Sequence, residues 1–234
     1  MALLTVIAGP NGSGKSTLTQ KLIAQGVSFG EYLNADDIAQ GLKGSSVEVS
    51  SRAQQLVRER REAALKNGQD HTFETVMSHP SHIEYMQTAA RAGFRVHLFF
   101  VATEDPVINL DRVSNRVKHG GHSVPPDRIL SRYARSLENL PKAIAAAHTS
   151  MIFDNSTISR PLRQLAHINN LHLHKARGLS IIKDQGLNDI FLEHVDVARA
   201  KSGNAVDARD IPVWWLEILL RIKSNEPLAD VPPP

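Results

Sequence analysis

The chain's sequence predicts an α/β fold, a parallel sheet of about five strands with helices on both faces and a small C-terminal extension of hairpin and helix. Three observations carry that expectation. Short apolar runs rich in β-branched residues alternate with amphipathic stretches through the first two-thirds of the chain. Glycine and proline punctuate nearly every junction between them. The 234 residues are enough to bury a full core.

The elements follow in order. Leu3 to Ala8 is an apolar run of the kind found in a buried parallel strand. A glycine-rich loop, Gly9 to Thr17, leads into a helix from Ser16 to Gln25, with Leu18, Leu22 and Ile23 at helical spacing and a stop at Gly26. Val27 to Leu33 reads as a second strand opening into Asn34-Ala35-Asp36-Asp37. A long helix starts near Ser45, where Ser45-x-x-Glu48 forms a capping box; its apolar stripe is Val49, Ala53, Leu56, Val57 and Ala64, and Asn67-Gly68 ends it. His71 to Glu74 is a third strand, and Pro80 to Ala92 a helix closed by Gly93. Phe94 to Val101 is the strongest strand of all. A helix from Pro106 to Lys118, a break at His119-Gly120-Gly121-His122 and a helix from Pro126, interrupted near Pro141, come next. Met151 to Phe153 is the fifth strand and ends in Asp154-Asn155-Ser156.

Residues 1–157 thus form a core, with an arginine-rich lid at about 112–135, and residues 158–234 an extension. In the extension, Arg163 to Ile168 and Leu171 to Ala176 alternate apolar and polar around Asn169-Asn170, the pattern of a hairpin. Its alternate histidines, His167, His172 and His174, suit solvent-facing strand positions better than a metal site. Pro212 to Ile222 reads as an apolar helix packed on the body; a docking surface built on Trp214 and Trp215 is the alternative. Pro232-Pro233-Pro234 should fray.

Composition narrows the classes of function. Lys plus Arg number 27 and Asp plus Glu 24, a net charge of only +3, which does not suggest a nucleic-acid coat. The absence of cysteine excludes disulfides, thiolate zinc sites and thiol catalysis. No run is long enough to span a bilayer, so a soluble, cytoplasmic protein is the expectation.

The loop Gly9-Pro10-Asn11-Gly12-Ser13-Gly14-Lys15-Ser16-Thr17 carries the chemistry. Its three glycines let the backbone curl around phosphate oxygens, and its N–H groups with the following helix N-terminus meet the anion. Gly9, Asn11, Gly12, Ser13, Gly14, Lys15, Ser16 and Thr17 are therefore assigned to ATP, with Asn155 at the fifth strand's tip. Lys15 would reach the β/γ-phosphates, and Ser16 would hold Mg²⁺. No Leu-Ser-Gly-Gly-Gln signature of transporter ATPases is present, nor the switch and base-reading motifs of GTPases. Instead, Arg112 and Arg116 lie one turn apart before the Gly-Gly break, and Arg128, Arg132 and Arg135 share a face after it. Guanidinium forks match phosphate oxygens, so such helices suit a lid over a transferring phosphoryl group; a solvated basic face is the plainer alternative.

At the second strand's tip, Asp36 could take the proton of an attacking hydroxyl. Equally, Asn34 could cap a helix whose dipole Asp36 and Asp37 complement. Glu74, beside Thr75, could bind substrate hydroxyls or be an ordinary surface residue.

The ordered set of the phosphate loop, Asn34-Ala35-Asp36, Phe73-Glu74-Thr75, Arg116, Gly120-Gly121-His122-x-Val124-Pro125 and Arg128-x-x-x-Arg132-x-x-x-Ser136-Leu137 resembles the zeta toxin family, most closely its short, zeta-like ATPase members. The resemblance runs from about residue 3 to residue 156. It implies a P-loop kinase fold and transfer of the ATP γ-phosphate to the sugar 3′-hydroxyl of UDP-N-acetylglucosamine, with an antitoxin protein as partner. It further implies that Asp36 is the catalytic base, that Arg116 and Arg128 or Arg132 grip phosphate alongside Lys15, and that Asn34, Glu74 and Thr75 line the substrate pocket. Full-length toxins often carry Glu-Gly-Thr where this chain has Glu74-Thr75-Val76, and they are longer. A P-loop kinase with another acceptor (nucleoside, dinucleotide cofactor, antibiotic or nucleic-acid end) and a nucleotide-gated binding protein are the alternatives.

Overall fold

The computed structural model describes residues 1–121, 123–169, 172–176, 179–180 and 212–223. One sheet organises them. Its strands are β1 (Leu3–Ala8), β2 (Glu31–Leu33), β3 (His71–Thr75), β4 (Arg95–Ala102), β5 (Thr149–Asp154), β6 (Arg163–Asn169), β7 (His172–Ala176) and β8 (Leu179–Ser180), in the order β2-β3-β1-β4-β5-β6-β7-β8. The first five are parallel. From β5 onward the pairings turn antiparallel. The expected hairpin therefore continues the main sheet instead of standing apart from it. Its turn, with Asn170, lies outside the described residues, as do His122 and Pro232 to Pro234.

The helices are α1 (Lys15–Ala24), α2 (Ala35–Gln40), α3 (Ser46–Lys66), α4 (Ser81–Arg91), α5 (Pro106–Lys118), α6 (Pro126–Ala145) and α7 (Val213–Lys223). Ser45 and Glu48 close a reciprocal capping box at α3, satisfying donors the first turn cannot pair internally. The second strand is shorter than its sequence suggests, because Gly30 at φ 60° breaks the extended run before Glu31. The expected interruption at Pro141 is absent: α6 runs through it unbroken. Pro141 is buried there, and packing on that face offsets the helical hydrogen bond its ring nitrogen cannot donate.

Alternate strand residues feed two cores. Leu4, Val6, Leu98, Phe100 and Ile152 join Phe73, Met86, Leu140 and Ile144 on one face, while Ile7, Phe99, Val101 and Phe153 meet Leu18, Leu22 and Phe29 on the other. Trp214, Trp215 and Ile218 of α7 complete the larger core, 3%, 2% and 2% exposed. The tryptophans are structural anchors, which removes the docking-surface alternative for them. Among the described residues no helix is long and apolar enough to cross a membrane, and no group of three or more His, Asp or Glu could hold a metal ion.

Candidate active site

Parallel pairing of β2, β3, β1, β4 and β5 brings all five C-terminal tips to one edge, where the phosphate loop also lies. Positive φ angles at Gly9 (144°), Gly12 (76°) and Gly14 (103°) shape the loop. All three positions are closed to any side chain by their surroundings, Gly12 by the Asn109 carbonyl oxygen 2.7 Å from where its Cβ would fall. A Cβ at Gly9 would fall 2.0 Å from the Val101 carbonyl oxygen, and one at Gly14 would fall 2.3 Å from Asn155 Nδ2.

Lys15 opens α1 and turns back into the loop, its Nζ donating to the carbonyls of Gly9 (3.0 Å) and Pro10 (3.1 Å). Burial pushes its ammonium pKa down; Glu74 and Asp36 counter that shift, while Arg116 adds to it. Glu74 Oε1 stands 3.9 Å from Nζ. One buried amine therefore feels two carboxylates and a guanidinium, drawn from the tips of β2 and β3 and from α5. Ser16 and Thr17 are exposed in the first turn of α1.

Glu74 is itself held. The Tyr32 hydroxyl donates to Oε2 at 3.0 Å and Asn34 Nδ2 at 3.3 Å. Burial and the Glu74 charge push the Tyr32 phenol up to about 12, so it stays a donor at neutral pH. Asn34 also caps α2, its Oδ1 accepting from the Asp36 N–H at 2.8 Å. The capping alternative for Asn34 is thus present, and it fixes Asp36 in the first turn of α2. Thr75 faces inward: its hydroxyl accepts from Met77 N (3.0 Å) and its carbonyl from Gly9 N (3.2 Å), which anchors the start of the loop. Met77 follows at φ 59°, a left-handed conformation that costs a non-glycine residue about 1–2 kcal/mol. Asn139 Nδ2 holds its carbonyl at 2.9 Å.

Asn155 supports the loop from β5. Its Nδ2 donates to the Ser13 carbonyl (2.8 Å), and its Oδ1 accepts from Leu162 N (3.1 Å). Arg112 Nη2 donates to the Asn155 carbonyl at 2.8 Å, so Arg112 and Arg116, one turn apart on α5, serve different places. After the Gly-Gly turn, Arg128 lines a cleft facing α3, Arg132 is half-buried on α6, and Arg135 Nε donates to the Ser131 carbonyl within that helix.

A buried polar relay escaped sequence reasoning. The Tyr133 hydroxyl donates to the Thr103 carbonyl at 2.6 Å, the Thr103 hydroxyl donates to Asn109 Oδ1, and Asn109 Nδ2 donates to the Asn11 carbonyl. Thr103 and Asn109 have no exposed surface. The available signal was a polar Asn109 one turn before Val113 on the apolar stripe of α5.

The loop fits a triphosphate on grounds internal to the protein. Its curvature leaves no room for Cβ atoms, and Asn11 Oδ1 and Ser13 Oγ are buried with no hydrogen-bond partner among the described residues.

Residues 4–140, more than half of the chain, match the family model described as AAA domain. The chain belongs to this AAA domain family. A Haemophilus influenzae protein, described only as uncharacterized, is 32% identical to this AAA domain protein over 127 residues, covering 53% of this chain and 88% of that one. The crystal structure of AvrRxo1-ORF1:-ORF2 with ATP matches at 17% identity and a TM-score of 0.58, over 95% of this chain and 80% of that one. Such a likeness shows the fold, an α/β sheet of the P-loop kinase type. The PezAT chromosomal toxin-antitoxin system of Streptococcus pneumoniae matches at 17% identity and a TM-score of 0.47, over 66% of this chain and 68% of that one.

Proposed function

We propose that this chain is an ATP-dependent phosphotransferase of zeta toxin type, moving the γ-phosphate of ATP to a hydroxyl of a small molecule. The single observation that carries this is Glu74 standing 3.9 Å from the buried Lys15 amine at the mouth of the glycine loop, with Asn34 joining Glu74 to the N–H of Asp36. P-loop switches and ATPases also use a strand-tip carboxylate, to hold Mg²⁺; a second carboxylate beside the loop, here Asp36 in the first turn of α2 in addition to Glu74, is what hydroxyl activation adds.

Lys15 and Arg116 neutralise charge on the phosphoryl oxygens, with Arg128 or Arg132 joining from α6. Asp36, oriented by the Asn34 cap, takes the proton of the acceptor hydroxyl as its oxygen bonds to the γ-phosphorus. The bond to the β,γ-bridging oxygen breaks, and ADP leaves with that electron pair. Ser16 would hold Mg²⁺, which supplies further charge neutralisation at the phosphates. Glu74, which accepts from Tyr32 and Asn34 through Oε2, would accept from an acceptor hydroxyl through Oε1. UDP-N-acetylglucosamine is the acceptor that the family resemblance brings, and an antitoxin the protein partner.

Lys15→Ala tests the assignment. Transfer from labelled ATP to a panel of sugar nucleotides, nucleosides and cofactors, followed by mass analysis, should fall by about a thousandfold or more. Retained turnover would remove the proposed function.

A further inference from the structure

Two asparagines from outside the phosphate loop hold carbonyls within it. Asn109 Nδ2, from α5, donates to the Asn11 carbonyl at 2.5 Å, and Asn155 Nδ2, beyond the tip of β5, donates to the Ser13 carbonyl at 2.8 Å. Each stands against a glycine that makes room for it: a Cβ at Gly12 would fall 2.7 Å from the Asn109 carbonyl oxygen, and one at Gly14 would fall 2.3 Å from Asn155 Nδ2. No peptide bond among the described residues is cis, so the C=O and N–H of one peptide unit point opposite ways. Pinning the Asn11 carbonyl to α5 therefore turns the Gly12 N–H away from α5, and pinning the Ser13 carbonyl turns the Gly14 N–H away from Asn155. Neither N–H donates to another described residue. Such N–H groups, in a curled glycine loop, are the donors that an anion takes up.

The Asn109 amide has its own orienting device. A backbone carbonyl only accepts, so the edge of the amide that faces Asn11 is the NH₂ and the other edge is the oxygen. That oxygen accepts from the Thr103 hydroxyl, and the Thr103 carbonyl accepts from the Tyr133 hydroxyl at 2.6 Å. Thr103 and Asn109 are both 0% exposed, which puts these bonds out of reach of bulk water. Asn109 shares the buried stripe of α5 with Val113, where packing alone would be served by an apolar side chain. A carboxamide at that point costs desolvation unless both its ends are paired, and both are.

We propose that Asn109 is a positioning residue for nucleotide binding: its carboxamide, oriented by Thr103, holds the Asn11 carbonyl back so that the Gly12 N–H is presented to the phosphate chain of ATP. This rests on the reading of the loop as a triphosphate site and deepens it. The loop's glycines permit its shape, and a side chain of α5, the helix that also carries Arg116, selects it. Asn109 acts through the Asn11 peptide and does not itself touch the nucleotide.

The test uses the full chain with ATP and Mg²⁺: calorimetry for affinity, urea unfolding to establish that each variant is folded, and amide nitrogen–proton NMR spectra for Gly12. In the wild type, ATP should move the Gly12 amide proton downfield, as a new hydrogen bond to an anion does. Asn109→Leu, close in size but without a donor, should raise the Kd for ATP by about fivefold or more and remove most of that shift. Thr103→Val should raise the Kd by about threefold or more, while Thr103→Ser, which keeps the hydroxyl, should stay within about twofold of the wild type. The Thr103 pair decides the question if Asn109→Leu does not fold. An asparagine that served stability alone would lower the urea midpoint and leave the ATP affinity of the folded protein unchanged. Smaller losses of affinity than these in the folded variants, a wild-type Gly12 amide that ATP leaves in place, or a Thr103→Ser as impaired as Thr103→Val would each overturn the inference. A wild type that binds no ATP would strike the loop assignment itself, whereas wild-type binding keeps that assignment standing whatever the variants do.

Discussion

Asn155→Ala removes two buried hydrogen bonds at once, and both leave backbone groups behind. The Ser13 carbonyl loses its 2.8 Å donor and Leu162 N loses its 3.1 Å acceptor. An abandoned buried polar group costs about 1–3 kcal/mol, so the pair is worth about 2–6 kcal/mol, with water entry pulling the figure toward the lower end. Against a total stability of about 5–15 kcal/mol, that is a large fraction. The loop should suffer as well, since Ser13 lies inside it. We expect ATP to bind at least about tenfold more weakly, equivalent to about 1.4 kcal/mol of lost preorganisation. Urea unfolding followed by circular dichroism reads the first effect as a lower midpoint at unchanged slope, and calorimetry with ATP and Mg²⁺ reads the second. A loss of stability under about 0.5 kcal/mol with unaltered ATP affinity would refute the view that Asn155 braces the loop.

Three further outcomes follow from the packing. Partial burial and the nearby Arg61, His79 and Arg58 lower the His82 pKa from 6.5 to about 4. Its neutral form is favoured in the fold, so no stability is lost above pH 6.5; as pH falls from there toward 4 the unfolded chain gains the proton first, and up to about 3 kcal/mol disappears. His71, His97 and His148, also lowered by burial, act in the same direction, and His82→Gln should flatten the largest share of the urea-midpoint profile across that window. Trp214→Ala should cost about 3–5 kcal/mol by thermal or denaturant unfolding, and truncation after residue 160 should yield an unfolded or aggregated product, because it strips β6 from the sheet and α7 from the core. A well-folded truncation would contradict the view that β6 and α7 complete the larger core.

Much of this was legible beforehand because local chemistry and tertiary structure agree. Pro106 to Lys118 stands as a helix with the bounds its sequence suggests, since Asp105 caps it, Pro106 suits the first turn and Gly120 stops it. The Ser45 capping box behaves likewise. What stayed hidden depends on partners remote in sequence. Pro141 looked like a breaker because propensity is local, whereas its burial is decided by the sheet that α6 packs on. Asn155, assigned from its position to the nucleotide, spends its amide on the Ser13 carbonyl 142 residues away. Thr75, expected in the substrate pocket, is occupied by Met77 N and Gly9 N. The arginine pattern announced a cluster but could not say that Arg112 turns toward Asn155 while Arg116 acts on Lys15.

Single-turnover phosphoryl transfer by Asp36→Asn, at an ATP concentration that saturates both proteins, is the most direct measurement. The substitution keeps the side chain's size and the Asn34 cap on its N–H, and removes only the proton acceptor. If Asp36 deprotonates the acceptor, transfer drops by about a hundredfold or more while the Kd for ATP stays within about twofold. Transfer at the wild-type rate with the same ATP affinity would contradict it.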